Sequence, residues 1–219
     1  MLENILAVMQ QGGVIVTILI GLSVIALTVV LVKAFQFWLQ RPVLDQASVQ
    51  GAVADCVARR SPTHLKIDSR DPQSCLLLNM YHLLDEGRLA EANIRQESLR
   101  QARVLLSELS SHLRILEVIA NVAPLLGLFG TVLGMIDAFK AMEVAGSQVN
   151  PAVLSGGIWQ ALLTTAVGLA VAIPVSMAHS WFERRVEVQA ASLQDTMDQV
   201  FTALAQGVPE AVARPARAA

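Results

Sequence analysis

The chain has 219 residues, of which 54% are hydrophobic, and it carries a formal net charge of −2; its mean hydropathy is +0.53. This composition is too apolar for an ordinary soluble domain, and a slightly acidic balance excludes a dedicated nucleic-acid-binding surface. The two cysteines, Cys56 and Cys75, lack CxxC spacing, and the four histidines are scattered. The sequence therefore predicts reduced thiols, no metal site and no cofactor.

Three apolar stretches divide the chain, at residues 14–32, 118–139 and 152–178. A helix of about 20 apolar residues crosses a hydrocarbon core of about 30 Å, because each residue adds about 1.5 Å. The sequence predicts an all-α integral membrane protein with three transmembrane helices, embedded in lipid.

The flanks of these stretches predict the orientation. Residues 1–13 contain Glu3 but no Lys or Arg, so they lack the basic start of a secretory signal, and residues 14–32 are predicted to be a permanent anchor. Of the 16 basic residues, all but Lys140 fall on one side of the three spans. The positive-inside rule then predicts an external N-terminus and a cytoplasmic C-terminus.

A cytoplasmic helical domain is predicted over residues 33–115. The Arg41–Pro42 pair is expected to break the first helix. Asp71 is placed to cap the start of a later helix, with Pro72 in its first turn, and Gly87 is placed to stop it.

From Leu89 onward, apolar residues recur every three or four positions, which is the spacing of an amphipathic helix. No proline or glycine occurs between Leu89 and Pro124. One continuous helix is therefore predicted to run from the cytoplasm into the second span, as a rod of very roughly 75 Å.

The third span is likewise predicted to continue into the cytoplasm as a helix. The apolar stripes of these two long extensions need burial, so the sequence predicts an oligomeric helical bundle. The remaining predicted boundaries are a second span at 116–139, an external loop at 140–150, a third span at 151–180, a cytoplasmic helix at 181–207 and a disordered tail at 208–219.

The second and third spans are predicted to form an antiparallel hairpin with small residues on the facing sides. Apolar attraction between helices is weak in lipid, so close backbone packing has to hold such helices together. The candidate packing residues are Gly127, Gly130, Gly134, Gly157 and Gly168.

Polar side chains inside these two spans are the candidate functional residues. Thr131 and Gln160 each lie eight residues from the external end of their span, so they are predicted to lie at about the same depth. Thr164 and Thr165 follow Gln160 by about one turn. A polar group in hydrocarbon needs a partner. Two interpretations stay open and are not exclusive: an interhelical hydrogen bond that locks the hairpin, or the polar lining of a central pore.

Two carboxylates flank the second span as candidate edge groups. Asp137 lies within a turn of the external edge, so its side chain is expected to reach the interface. Glu117 lies at the cytoplasmic border, where Arg114 is a candidate partner at helical spacing.

The sequence contains no nucleophile–base arrangement, phosphate-binding glycine loop or metal-ligand cluster, so no enzymatic activity is predicted. A secondary transporter is disfavoured because the chain has three spans and no inverted repeat. An energy-independent membrane scaffold that organises a cytoplasmic helical bundle stays open.

Two motifs of the hairpin carry a resemblance to a known family. APLLGLFGTVLGMIDAF at residues 123–139 and GGIWQALLTTAVGLAVAIP at 156–174 closely resemble the ExbB/TolQ/MotA proton-channel family, and in particular its ExbB/TolQ branch. The resemblance implies a motor subunit of a bacterial inner membrane, with a periplasmic N-terminus. It also implies a homopentamer whose pore holds an ExbD/TolR-like single-span dimer and which energises a TonB/TolA-like protein.

By position, Thr131 and Thr165 match threonines of the family motifs, whereas Gln160 stands where the branch usually has Glu. A glutamine amide does not titrate near neutral pH, although it can hydrogen-bond a carboxylic acid. The resulting hypothesis is that Gln160, Thr131 and Thr165 form a polar track while a membrane Asp of the partner carries the proton.

Overall fold

The computed structural model describes residues 2–39, 46–58, 71–87, 90–145 and 151–206. In these ranges every regular element is an α-helix, which confirms the predicted all-α class. The helices are α1 (Leu2–Leu39), α2 (Gln46–Val57), α3 (Pro72–Glu86), α4 (Glu91–Ser110), α5 (Leu113–Ala145) and α6 (Pro151–Gln206).

Three of these helices are long and apolar enough to cross a membrane, as predicted. The candidate spans are Gly13–Trp38 in α1, Leu113–Val144 in α5 and Leu154–Gln206, which covers nearly all of α6. Large apolar side chains on these helices are exposed, for example Val24 at 60% and Leu125 at 63%. Apolar exposure of this extent is stable in lipid or against another protein, and not in water.

The chain forms two compact units. The first, called here the membrane unit, comprises residues 1–34 and 112–182, and the second, called here the core unit, comprises residues 35–111 and 183–219. The membrane unit contains the hairpin of α5 with the first part of α6, and the core unit contains α2, α3, α4 and the last part of α6.

The core unit is built around a cluster of buried apolar side chains. Residues from α2, α3, α4 and α6 contribute to it, among them Cys56, Leu76, Ile94 and Leu193. One buried polar contact crosses this core, because the Gln73 amide nitrogen donates to the Thr196 hydroxyl at 3.2 Å. The apolar stripe predicted for the end of α6 is therefore buried within the chain itself.

Local turn chemistry sets the ends of α3 as the sequence predicts. The Asp71 carboxylate accepts hydrogen bonds from the Ser74 backbone N–H at 3.0 Å and from the Ser74 hydroxyl at 2.7 Å. Pro72 is the first helical residue, where its missing N–H costs nothing. Gly87 ends the helix in the left-handed conformation with φ of 61°, which glycine adopts without strain.

The prediction of one unbroken helix from Leu89 into the second span was wrong. The helix ends at Ser110, and His112, with φ of 65°, separates it from α5. The Ser110 hydroxyl donates to the Ser107 carbonyl, and the Ser111 hydroxyl donates to the Glu108 carbonyl at 2.7 Å. Adjacent serines that bond back to the last carbonyls compete with the helix and end it, although neither glycine nor proline is present.

Other predicted features fall outside the described residues. The Arg41–Pro42 break and the tail at 208–219 both lie in the undescribed segments. They stay predictions.

Burial controls the chemistry of the two cysteines, neither of which forms a disulfide. Burial raises the pKa of the Cys56 thiol to about 12, and the neighbouring Asp55 carboxylate adds to the rise. The Cys56 Sγ also donates to the Leu77 carbonyl at 3.6 Å. Cys75 is only partly buried.

We expect Cys56 to resist alkylation in the folded protein. With a pKa near 12, only about one thiol in ten thousand is ionised at pH 8, and the thiolate is the reactive form. Iodoacetamide labelling of a Cys75→Ala variant should be slow at pH 8 and complete after denaturation. A Cys56→Ala variant, which leaves only Cys75, is the matched control and should label faster.

The same pKa predicts a pH dependence of stability. The unfolded thiol ionises near pH 9, well below the pKa in the folded protein. The contribution of the un-ionised Cys56 thiol to the free energy of unfolding is therefore complete below about pH 9 and is lost as the pH rises towards 12. Rapid labelling of native Cys56 at pH 8 would contradict the raised pKa on which both predictions depend.

Candidate functional site

The hairpin of α5 and α6 is closed by glycines that leave no room for a side chain. A Cβ on Gly168 would lie 2.7 Å from the Ala123 carbonyl oxygen, and one on Gly157 would lie 2.5 Å from the Ala138 Cβ. Backbones approach this closely only where side chains are missing. The other predicted packing glycines also lie at this interface: Gly127, Gly130 and Gly134.

These contacts fix the register of the two antiparallel helices. Gly134 faces Ala161, and Gly130 faces Thr164. Thr131 therefore lies level with Thr164, while Gln160 lies about one turn, or roughly 6 Å, closer to the connection between the helices. The prediction that Thr131 and Gln160 share a depth was wrong by this turn, because the contacts between small residues, and not equal counting from the span ends, set the register.

Two threonine hydroxyls of α6 converge on one carbonyl oxygen of α5. Thr165 Oγ1 donates to the Gly127 carbonyl at 3.0 Å. Thr164 Oγ1 lies 3.2 Å from the same oxygen and 2.7 Å from the Ala161 carbonyl of its own helix, so its single proton is shared between the two carbonyls. Thr164 is buried, and Thr165 is partly buried. The absent side chain of Gly127 is what lets both hydroxyls reach its backbone, since its Cβ would lie 3.0 Å from the Thr165 Cα. These bonds correspond to the interhelical lock that the sequence left open beside a pore lining.

Thr131 and Gln160 do not join this pair of hydroxyl contacts. The Thr131 hydroxyl donates to the Leu128 carbonyl of its own helix at 2.6 Å. The Gln160 side chain is exposed on the surface of the single chain, and its amide nitrogen lies beside Gly13 of α1. The structure thus brings Thr164 and Thr165 together, keeps Thr131 one helical turn from Gly127, and places Gln160 against a different helix.

The edge carboxylates Glu117 and Asp137 are both exposed. In the described part of the chain neither forms an ion pair, and the predicted pairing of Glu117 with Arg114 is not observed. Between these two positions α5 contains no titratable residue, and α6 contains none from Pro151 to Ala178. The polar side chains inside the hairpin are therefore hydroxyls, the Trp159 indole and the two amides of Asn121 and Gln160.

Sequence reasoning missed two positions. Gly13 has φ of 65° and ψ of −158° and breaks α1 at the start of its span; the adjacent glycines at 12 and 13 were the available signal. Lys33 directly follows the predicted first span, where a basic side chain is expected to reach water, yet it is only 1% exposed. Among the described residues no group of His, Cys, Asp and Glu could hold a metal ion.

Three membrane-crossing helices and a hairpin joined by glycine contacts and threonine hydroxyls define a multi-pass α-helical membrane protein with polar groups inside its spans. The chain belongs to the MotA/TolQ/ExbB proton channel family, whose sequence model matches residues 76–195. This match includes all of α5 and most of α6. Proton channels move ions without covalent chemistry, so the chain is a channel-family subunit and not an enzyme.

Similar proteins place the chain in the ExbB/TolQ branch. An ExbB-like biopolymer transport protein of Synechocystis sp. is 28% identical over 87% of this chain and 90% of its own length. The biopolymer transport protein ExbB of Pseudomonas putida is 35% identical over 56% of this chain and 40% of its own length. The Tol-Pal system protein TolQ of Haemophilus influenzae is 35% identical over 45% of this chain and 43% of its own length. The chain thus spans less than half the length of the last two.

Proposed function

We propose that this protein is the pore-forming subunit of a motor driven by the proton-motive force in a bacterial inner membrane. The observation that carries the proposal is that the family match covers the whole α5–α6 hairpin, where the intramembrane polar side chains lie. In the proposed arrangement five copies surround an ExbD/TolR-like single-span dimer, and the motion is passed to a TonB/TolA-like protein. The basic residues favour a periplasmic N-terminus and a cytoplasmic C-terminus.

Within the pore, we assign Thr131, Gln160 and Thr165 to a polar track. Partial burial of Thr131 and Thr165 and the exposure of Gln160 in the single chain leave these groups accessible to a partner helix. None of them titrates near neutral pH, so the proton is carried by a membrane carboxylate of the partner, to which hydroxyl and amide groups can hydrogen-bond. One charge that crosses 100 mV releases about 2.3 kcal/mol, so a few protons can drive a step that rearranges several helix contacts.

The assignment predicts that a variant with Thr131→Val, Gln160→Leu and Thr165→Val loses proton flux at least tenfold. The protein would be co-expressed with ExbD/TolR-type single-span proteins of its own genome and reconstituted into liposomes with an imposed pH gradient. A pH-sensitive dye would report the flux, and native mass spectrometry would report the number of copies.

A matched control replaces two exposed residues of the same helices, Leu125→Val and Leu162→Val, which should preserve flux. Full proton flux in the triple variant would contradict the assignment of these three residues to a polar track. A cellular effect of the protein that persists after a protonophore is added would instead favour the energy-independent scaffold.

A further inference from the structure

The break in α1 has a backbone conformation that only glycine adopts readily. At Gly13, φ is 65° and ψ is −158°, a region that is essentially closed to residues with a Cβ. A helix that is broken leaves N–H groups without acceptors on one side and carbonyls without donors on the other. The helix resumes directly after the break, where the Thr17 hydroxyl donates to the Gly13 carbonyl oxygen four residues earlier at 3.3 Å.

The carboxamide of Gln160 lies against this break. Its Nε2 atom is 4.0 Å from the position that a Cβ on Gly13 would occupy, which is a van der Waals contact. Gln160 is nine residues, or about 13 Å, along α6 from Pro151, whereas Gly13 is the first residue of the candidate span in α1. The contact therefore lies where α1 enters the apolar region, and backbone groups freed there lose water as a partner and need polar groups from the protein.

Glutamine matches both needs of a broken helix, because its NH₂ donates to carbonyls and its oxygen accepts from N–H groups. A hydroxyl or an aliphatic side chain at this position would serve fewer of these groups. We propose that Gln160 is a positioning residue that holds the break of α1 at Gly13 against α6. The inference concerns α1 and goes beyond the assignment of Gln160 to a polar track.

The test is hydrogen–deuterium exchange of the full chain in phospholipid nanodiscs, followed by mass spectrometry. The informative peptides cover Gly13 to Thr17, the first turn after the break, where the amides of residues 14–16 have no acceptor within the second helix. Gln160→Leu keeps the size of the side chain but removes its polar groups, and it should speed exchange there at least tenfold. Gln160→Glu keeps an acceptor and should stay within threefold of the wild-type rate.

Thr164→Val is the matched control, because it removes a polar group one turn away on the same helix that contacts α5. It should change exchange at residues 13–17 less than twofold. In a Gly13→Ala background exchange should already be fast, and Gln160→Leu should add less than twofold. If Gly13→Ala does not fold, the comparison of Gln160→Leu with Gln160→Glu still shows whether a polar group at position 160 slows exchange at the break.

The inference would be overturned if Gln160→Leu left the exchange rate at residues 13–17 unchanged, or if Thr164→Val raised it as much as Gln160→Leu does. It would also be overturned if the effects of Gln160→Leu and Gly13→Ala on that rate were fully additive. The outcome is independent of the proposed motor. Lost proton flux with unchanged exchange would leave Gln160 in the polar track and remove its positioning role. Faster exchange with intact flux would leave the positioning role and remove Gln160 from the track.

Discussion

Replacing Gly168 by alanine is expected to destabilise the α5–α6 hairpin by about 1–3 kcal/mol. Replacing it by leucine is expected to destabilise the hairpin by about 3 kcal/mol or more. The added Cβ would lie 2.7 Å from the Ala123 oxygen, 3.1 Å from the Gly127 Cα and 3.3 Å from the Gly127 nitrogen. All three neighbours are backbone atoms, so no change of rotamer can make room. The clash outweighs the gain of about 1 kcal/mol in helix propensity that alanine has over glycine.

Gly156→Ala is the matched control in the same helix. Nothing lies within 4 Å of a Cβ at Gly156, so the substitution should be neutral or stabilising by up to about 1 kcal/mol. Thermal unfolding of the variants in detergent, followed by circular dichroism, would measure both effects. Equal stability of the two alanine variants would show that the close approach of α5 and α6 at Gly168 does not hold in the solubilised protein.

The sequence predicted those features that depend on local chemistry or on hydropathy. The three spans follow from the length of the apolar stretches, and the ends of α3 follow from the capping of Asp71 and the left-handed Gly87. Both depend on residues close together in the chain. No knowledge of the rest of the structure was needed for them.

The features that the sequence could not predict depend on contacts between distant residues. The break at His112 has no glycine or proline. It follows two serines whose hydroxyls donate hydrogen bonds to carbonyls three residues earlier and so compete with the helix. The register of α5 against α6 depends on which small residues face each other. The place of Gln160 depends on a third helix, since its neighbour Gly13 is separated from it by 147 positions.

The sequence left the role of the membrane threonines undecided between a lock and a pore lining. In the structure Thr164 is buried at the contact between the helices, and its hydroxyl is shared between the Gly127 carbonyl of α5 and the Ala161 carbonyl of its own helix. Thr165 shares that carbonyl but is only partly buried. One threonine can therefore be limited to the lock while its neighbour serves both roles, which periodicity alone could not separate.

Replacing Leu193 by alanine is expected to destabilise the core unit by about 2–5 kcal/mol. Leu193 is 1% exposed and lies in the same apolar cluster as Cys56, Leu76 and Ile94. Its truncation removes contacts to several helices and leaves a cavity that a close-packed interior fills only in part. The last part of α6 would then be a structural member of the core unit and not a free extension of a membrane helix.

Cys56 reports this effect directly, because its thiol is buried and almost un-ionised in the closed core and reacts faster when the core opens. In a Cys75→Ala background, a loss of 2 kcal/mol raises the open population, and with it the labelling rate at pH 8, by about 30-fold. Val188→Ala is the matched control on the same helix, since Val188 is 41% exposed and its truncation should cost less than about 1 kcal/mol. If Leu193→Ala and Val188→Ala label Cys56 at the same rate, α6 does not stabilise the core unit, and the apolar stripe of α6 has to be buried against another copy of the chain.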